Sequence, residues 1–568
     1  MTTFKNKHIH AACSLCCGAV AALIALGSLN ACSDMLDTDS SRQLFEPELD
    51  QKTDSIFYAL GILQGLQQLA DQYAFVGEMR GDLVTTTSYT DNNLRQLYNF
   101  TATTTNKYDS AYVYYRIINN CNYYIAHRDT TLRTGATYVA MQEYVAVKAI
   151  RAWTYMQLAR TYGKVPFYTE PLTQISQIDN NTFPELDMEA IVNRLAPDLE
   201  QYTGYPTPVY SGTPNGSNIM SDYLYMPVDV VLGDMYLEVG NYSKAASHYV
   251  TYLTKVASSP FSAYMQPYSS RNRYGMMGGD DLPSDWAPAN NSTLNGSTTW
   301  STIFTSSTDL ITYIPMAANS LQGTTTDIPL AYGYDYYATD KTGNSRYVDE
   351  IQIVASDKFL DLSTSSDYYY QANLLVGSTS DMRINLTKLG DTRYRGVIRE
   401  TEDTETDSTT TWITKNNQAR VILYRKTTVL LRLAEAFNRL GMVDAAFAIL
   451  KDGISEELVK ADSTGAAYIS EATKTALKTT YPLLSDENKS KFSDNNAAYF
   501  GIHMHGAGYC RDWTGAVYQP NLSPYQPDTI IGLKMKEIAE SYSVSVGTTK
   551  EDSINAMEDL LCDEYALE

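Results

Sequence analysis

The sequence predicts a mostly α-helical fold built from paired helices, interrupted by one long excursion of loops and short strands. Three observations carry this reading. Apolar residues recur at three- and four-residue steps along much of the N-terminal half. Two segments 201 residues apart share one helix–turn–helix pattern in the same register. Between them, residues 258–416 lose that periodicity and are rich in Ser, Thr, Asn, Gly and Tyr.

Residues 1–31 are set apart before the fold is read. Lys5 and Lys7 precede an alanine-rich apolar stretch from Ala11 to Leu29, and no acid occurs before Asp34. The stretch is too short and too weakly apolar for a membrane span. It ends in Leu29-Asn30-Ala31-Cys32, which resembles a bacterial lipobox, cut before the cysteine that then carries lipid. A plain secretory cleavage site asks for small residues at both −3 and −1, and −3 here is Leu29. Residues 1–31 are therefore expected to be a lipoprotein signal peptide, and Cys32 the lipidated residue.

After an acidic tether over 33–39, helical periodicity runs over about 56–73, and two stronger helices follow over 108–127 and 139–162. In the last, Val145, Ala149, Ala152, Trp153, Met156 and Ala159 form one apolar face. Gly163 stands where a C-cap belongs, and Pro166 stops any continuation. A hairpin follows between Met226 and Tyr249. Its Leu232, Gly233, Tyr236, Ala245 and Tyr249 have the spacing of a tetratricopeptide unit, with Gly240-Asn241 as the turn. Leu433, Ala434, Phe437 and Ala446 repeat the first four offsets 201 residues later. The small residues let paired helices approach closely. Tandem solenoids repeat every 34 residues or so, roughly; these two units are dispersed.

Charge bounds the partners. Asp and Glu number 65 against 43 Lys and Arg, a net charge of −22, so the chain cannot depend on phosphate neutralisation by a basic face and nucleic acid is excluded as a main partner. The same charge gives no attraction to an anionic membrane surface, which leaves membrane attachment to acyl chains. Of seven cysteines, Cys13, Cys16 and Cys17 fall in the signal segment. Cys121, Cys510 and Cys562 are odd in number and widely spaced, so no disulfide framework is predicted, although a single pair in an oxidising compartment stays open.

Catalytic constellations are missing. The chain has no GxSxG elbow, no Walker A loop, no GxGxxG after a strand and no HExxH. His503-x-His505 with Cys510 is not a zinc spacing and lies among glycines, so no metal and no cofactor are expected. Acid pairs are too plentiful to single out a glycosidase dyad. No catalytic residue is assigned.

At this point the residues carry a resemblance. Cys32-Ser-Asp-Met-Leu-Asp-Thr38, Glu78-Met-Arg-Gly-Asp82, Tyr115-Arg-Ile-Ile-Asn-Asn-Cys-Asn122, the run from Ala149 to Pro166, and Tyr424-Arg-Lys426 through Ala434-Glu-Ala436 occur in the order seen in the SusD/RagB family. These are surface lipoproteins of Bacteroidetes that work with a TonB-dependent outer-membrane transporter. The resemblance implies a single SusD-like domain over 32–568. Tetratricopeptide-like hairpins over about 50–257 and 417–568 would form a curved scaffold, and a loop-rich lobe with short strands over about 258–416 would carry the ligand surface. It implies a non-catalytic protein on the outer membrane, facing the cell exterior, that binds glycan and delivers it to a SusC-like transporter. A peptide-binding member of the same family, or a secreted glycoside hydrolase, are the alternatives. Met557 to Glu568 resembles the start of the family's closing segment, which normally continues; either the C-terminal helix packs differently or the reading frame is shortened.

Composition also points to a surface. Tyrosines number 46, against 14 Phe and 5 Trp, and a phenol suits wet, half-buried positions. Tyr115, Tyr236 and Tyr249 fill helical positions. A glycan asks for aromatic faces to stack on its rings and for polar groups to bind its hydroxyls. The candidates are Trp286, Trp300, Tyr274, Tyr313 and Tyr334 in the loop block, with Arg80 and Asp82 between helices. Trp286 leads them, in Asp285-Trp-Ala-Pro288 beside Asp280 and Asp281. Each has a second reading: the aromatics pack the lobe onto the helices, and Arg80 pairs with Asp82. Trp153 is read as core and Arg151 as structural.

Overall fold

The structure, a computed structural model, describes residues 55–179, 181–209, 221–256, 310–317, 323–339, 345–347, 350–364, 394–399, 408–413, 416, 419–452, 454, 458, 469–484 and 527–567. Residues 1–31, expected to be a signal peptide, and Cys32 lie outside the described residues, as do His503, His505 and Cys510. Most of the described chain is helical. The helices of ten or more residues are α1 (Ser55–Met79), α2 (Ala111–His127), α3 (Met141–Tyr162), α4 (Met188–Glu200), α5 (Val228–Glu238), α6 (Tyr242–Thr251), α7 (Lys426–Arg439), α8 (Val443–Asp452), α9 (Glu471–Thr480), α10 (Pro527–Ser541) and α11 (Lys550–Leu567). From α1 to α6 the successive helices pack on one another; α7 docks on α6 and continues the series with α8 and α11. None of these helices is long and apolar enough to cross a membrane.

Helix α3 corrects one expectation. It was predicted to bury a single apolar face, yet from Glu143 to Ala159 every residue except Tyr144 is buried. The reason is tertiary: α1, α2, α4 and α5 all pack on it. Three of its buried polar side chains find partners close by. Lys148 donates to Asp198 at 2.8 Å, Arg151 to Asn122 Oδ1 at 3.0 Å and Thr154 to the Ile150 carbonyl at 2.7 Å. Trp153 is core, with 1% of its surface exposed, and its ring lies 5.4 Å from that of Tyr73. Gly163 ends the helix at φ 78°, a left-handed position that favours glycine.

The two hairpins, α5–α6 and α7–α8, agree in detail. At the first turn Gly240 N–H donates to Leu237 O and Asn241 N–H to Tyr236 O; at the second Gly441 donates to Asn438 O and Met442 to Phe437 O. Gly240 (φ 73°) and Gly441 (φ 76°) both take the left-handed conformation. The close approach expected at Gly233 is real: a Cβ there would fall 2.3 Å from Cε1 of Tyr249. In the second hairpin Ala434 replaces that glycine and Leu450 stands at the offset of Tyr249. A larger residue on one helix is matched by a smaller one on the other.

Among the described residues the strands form two-stranded antiparallel ladders. Strand β1 (Val84–Thr86) pairs with β3 (Ile353–Ala355), and β2 (Leu310–Pro315) pairs with β4 (Arg420–Arg425) through an irregular register near Ile422 and Tyr424. Leu310, Ile311, Ile314, Ile353 and Ala355 are buried in the same core as the helices. These parts of the 258–416 block are therefore woven into the helical body. At the C-terminal end, α11 docks on α7: Asn438 Nδ2 donates to the Ile554 carbonyl at 2.9 Å, and the Tyr565 hydroxyl to Glu435 at 3.1 Å.

Candidate functional site

A cleft of about 850 Å³ opens where the end of α1, the end of α3, strand β4 and α7 converge. That is the size range of small-ligand sites, about 300–1,000 Å³. Arg80 stands at its mouth for a local reason. Helix α1 stops at the fully buried Met79, Gly81 N–H turns back to Glu78 O at 3.3 Å, and the chain re-enters the core at Val84 to pair with β3. Arg80 is the exposed first residue of that turn.

Opposite Arg80 lies Phe100, placed by a short helix, Asn92–Tyr98. Asp91 caps its start, accepting from the backbone of Asn93 at 2.6 Å and Leu94 at 3.1 Å. At its end Phe100 N–H donates to Leu97 O and Thr101 N–H to Gln96 O, the paired bonds of a Schellman cap. The pivotal residue of such a cap is usually glycine; here it is Phe100, at φ 56°. The conformation costs a side-chain-bearing residue about 1–2 kcal/mol. Burial does not repay it, since the ring is 66% exposed. The ring instead faces the Arg80 guanidinium, whose carbon is 5.3 Å from its centroid.

Deeper in the cleft, charge is organised by pairs. Arg160 donates to Glu238 through Nε at 3.0 Å and also through Nη2. Arg432 Nη1 lies 2.6 Å from both carboxylate oxygens of Asp234. The same carboxylate accepts from Tyr249 at 2.7 Å and from Tyr424 at 2.6 Å. Burial, and after it the charge of Asp234, pushes both phenols far above their usual range, so they stay protonated and act as donors. Arg420 and Arg425 line the cleft from β4, beside Glu78, Gln157 and Tyr565.

The predicted site residues divide. Arg80 lines the cleft. Tyr313, half-buried in β2, sits under the guanidinium of Arg420 at 5.8 Å and so borders it. Asp82 turns away from Arg80: it pairs with Lys358, and its carbonyl accepts from Ser356 Oγ at 2.6 Å. Trp286, Trp300 and Tyr274 lie outside the described residues. Tyr334 opens the strand Tyr334–Thr339, opposite Tyr347; its side chain lies outside the described residues. Sequence reasoning missed Phe100, Arg160, Arg420 and Arg432. Phe100 had one readable signal, an aromatic where a helix signalled by Asp91 should end in glycine.

The chain matches no family model and no curated protein. Among solved structures it is similar to a SusD superfamily protein from Bacteroides thetaiotaomicron, with 15% identity, 76% of this chain and 87% of that one covered, and a TM-score of 0.44. It is similar to surface glycan-binding protein A from Bacteroides uniformis, with 15% identity, 71% and 80% covered, and a TM-score of 0.45. It is also similar to a SusD superfamily protein from Bacteroides fragilis, with 17% identity, 84% and 96% covered, and a TM-score of 0.40.

Proposed function

We propose that the protein is a non-catalytic cell-surface lipoprotein that binds glycan and hands it to a SusC-like TonB-dependent transporter. It is held to the outer membrane by lipid on Cys32, and residues 32–568 act as one domain. The ordered motifs from Cys32 to the C-terminal helix support the lipoprotein and transporter parts of this reading. The binding part rests on one observation: Arg80 and Phe100 face each other at the mouth of the cleft, with Phe100 held in an unfavourable backbone conformation and its ring exposed. Strain kept without burial marks functional positions. An open aromatic face next to a fork of N–H donors is what a sugar ring and its hydroxyls require. Trp286, Trp300 and Tyr274 of the loop block are proposed as further glycan-binding residues.

The test is binding by the purified protein carrying Cys32→Ala, which leaves it unlipidated, against panels of polysaccharides and peptides by calorimetry and affinity electrophoresis. Glycan binding weakened at least tenfold by Phe100→Ala or Arg80→Ala is expected. Trp286→Ala and Trp300→Ala report on the loop block. Binding of peptides alone would move the assignment to the peptide-binding alternative. Polysaccharide hydrolysis abolished by one carboxylate substitution would overturn the non-catalytic reading.

A further inference from the structure

The charges facing the cleft are the reverse of those of the chain. Overall, acids outnumber Lys and Arg by 65 to 43. Yet of the six charged residues among those described lining the cleft, five are arginines, Arg80, Arg160, Arg420, Arg425 and Arg432, and one is Glu78. No lysine is among them. A guanidinium presents a planar fork that matches the two oxygens of a carboxylate or sulfate, where an ammonium is only a point charge.

The arginines are not equivalent. Arg432 is spent on Asp234, and Arg160 shares its outer edge with Glu238. Arg80 makes no ion pair with any described residue; its contact is the face of Phe100. Resting on the glycan-binding reading above, we infer that the cleft selects an anionic glycan, one bearing carboxylate or sulfate groups. The sugar ring stacks on the exposed face of Phe100, and its acid group is received by Arg80 at the mouth, with Arg160 behind it. Long-range electrostatics cannot produce this preference, because a chain of net charge −22 repels polyanions. Any anionic glycan that binds must do so through local contacts.

The experiment compares matched pairs with the Cys32→Ala protein by calorimetry at about 150 mM salt, where the Debye length is about 8 Å and long-range fields are screened. One pair is polygalacturonate and its carboxyl-reduced form; the other is dextran sulfate and dextran. At least one anionic member is expected to bind tenfold or more tighter than its neutral partner, and which pair responds separates carboxylate from sulfate. Arg80→Gln is expected to abolish that tenfold preference by weakening the charged form at least tenfold more than the neutral form, and to leave the thermal melt unchanged, since Arg80 is exposed. Equal binding within both pairs, or Arg80→Gln weakening charged and neutral forms alike, overturns the inference while leaving glycan binding intact. Binding of peptides and of no glycan, neutral or charged, overturns the glycan reading itself.

Discussion

Asp234 and Arg432, 198 residues apart in sequence, form an ion pair in which one guanidinium nitrogen lies 2.6 Å from both carboxylate oxygens. Asp234 sits on the first helix of the first hairpin and Arg432 on the first helix of the second. The two units separated by the long excursion are thus joined through one buried carboxylate, which Tyr249 and Tyr424 also address. Removing Asp234 strands a guanidinium and two phenols in low dielectric. Asp234→Ala is expected to cost about 3–5 kcal/mol in a urea titration, the range for breaking a buried pair. Arg432→Met should cost less, because Asp234 keeps both phenol donors. A smaller loss for Asp234→Ala than for Arg432→Met would contradict this ordering.

The Gly233–Tyr249 contact predicts an asymmetric pair of variants. Gly233→Ala alone should destabilise by about 1–3 kcal/mol through overpacking, since the Tyr249 ring is buried and tied to Asp234. Adding Tyr249→Leu copies the Ala434–Leu450 solution of the second hairpin. Its loss should be smaller than the sum of the two single losses, and a double-mutant cycle in denaturant measures the coupling.

Phe100→Gly separates stability from binding. It relieves the left-handed backbone at φ 56° and removes an exposed ring, so the folded state should gain about 1 kcal/mol. Glycan affinity should fall in the same variant. A melt that drops, or affinity that holds, would remove Phe100 from the site.

Two described thiols should differ in reactivity. Cys121 is fully buried, and desolvation pushes its pKa up to about 12, so native protein should not label there at neutral pH. Cys562, on the exposed side of α11, is raised by partial burial and by Glu558, Asp559, Glu435 and Asp563. It should label slowly. Iodoacetamide labelling followed by peptide mass spectrometry, with and without denaturant, checks both.

Glu435 predicts a pH dependence. Burial raises its pKa above the ordinary 4.5, so the native state holds the proton more tightly than the unfolded chain does. Ionising it therefore costs stability as pH rises through that window, and the cost persists at neutral pH. Glu435→Gln can still accept from Tyr565, so its melting temperature should exceed that of the parent at pH 7. The difference should shrink toward zero below pH of about 4, where the glutamate is protonated in both states.

Much of the helical body was legible in the sequence because its signals are local. A glycine that must take positive φ, as at 163 and 240, and a small residue where two helices touch, as at 233, are constraints within one turn or one hairpin. The repeat of those constraints 201 residues later identified the second hairpin without any structure. Arg80 was reachable by motif, and Trp153 by periodicity.

The rest depended on which surfaces meet. Helix α3 shows a periodic apolar face, yet it is buried on all sides because four helices converge on it, which no property of residues 141–162 alone specifies. Asp82, two residues from Arg80 in the motif, pairs with Lys358, brought there by the ladder between β1 and β3. The cleft itself gathers Arg80, Phe100, Arg160 and the pair Arg420 and Arg432 from four separate segments. By itself the sequence determined that helices form, where they turn and how closely each pair packs, because local sterics and periodicity govern those. Only the tertiary structure decided which charges face one another, because a charge acts on whatever lies within a few ångströms of it, however distant in the chain.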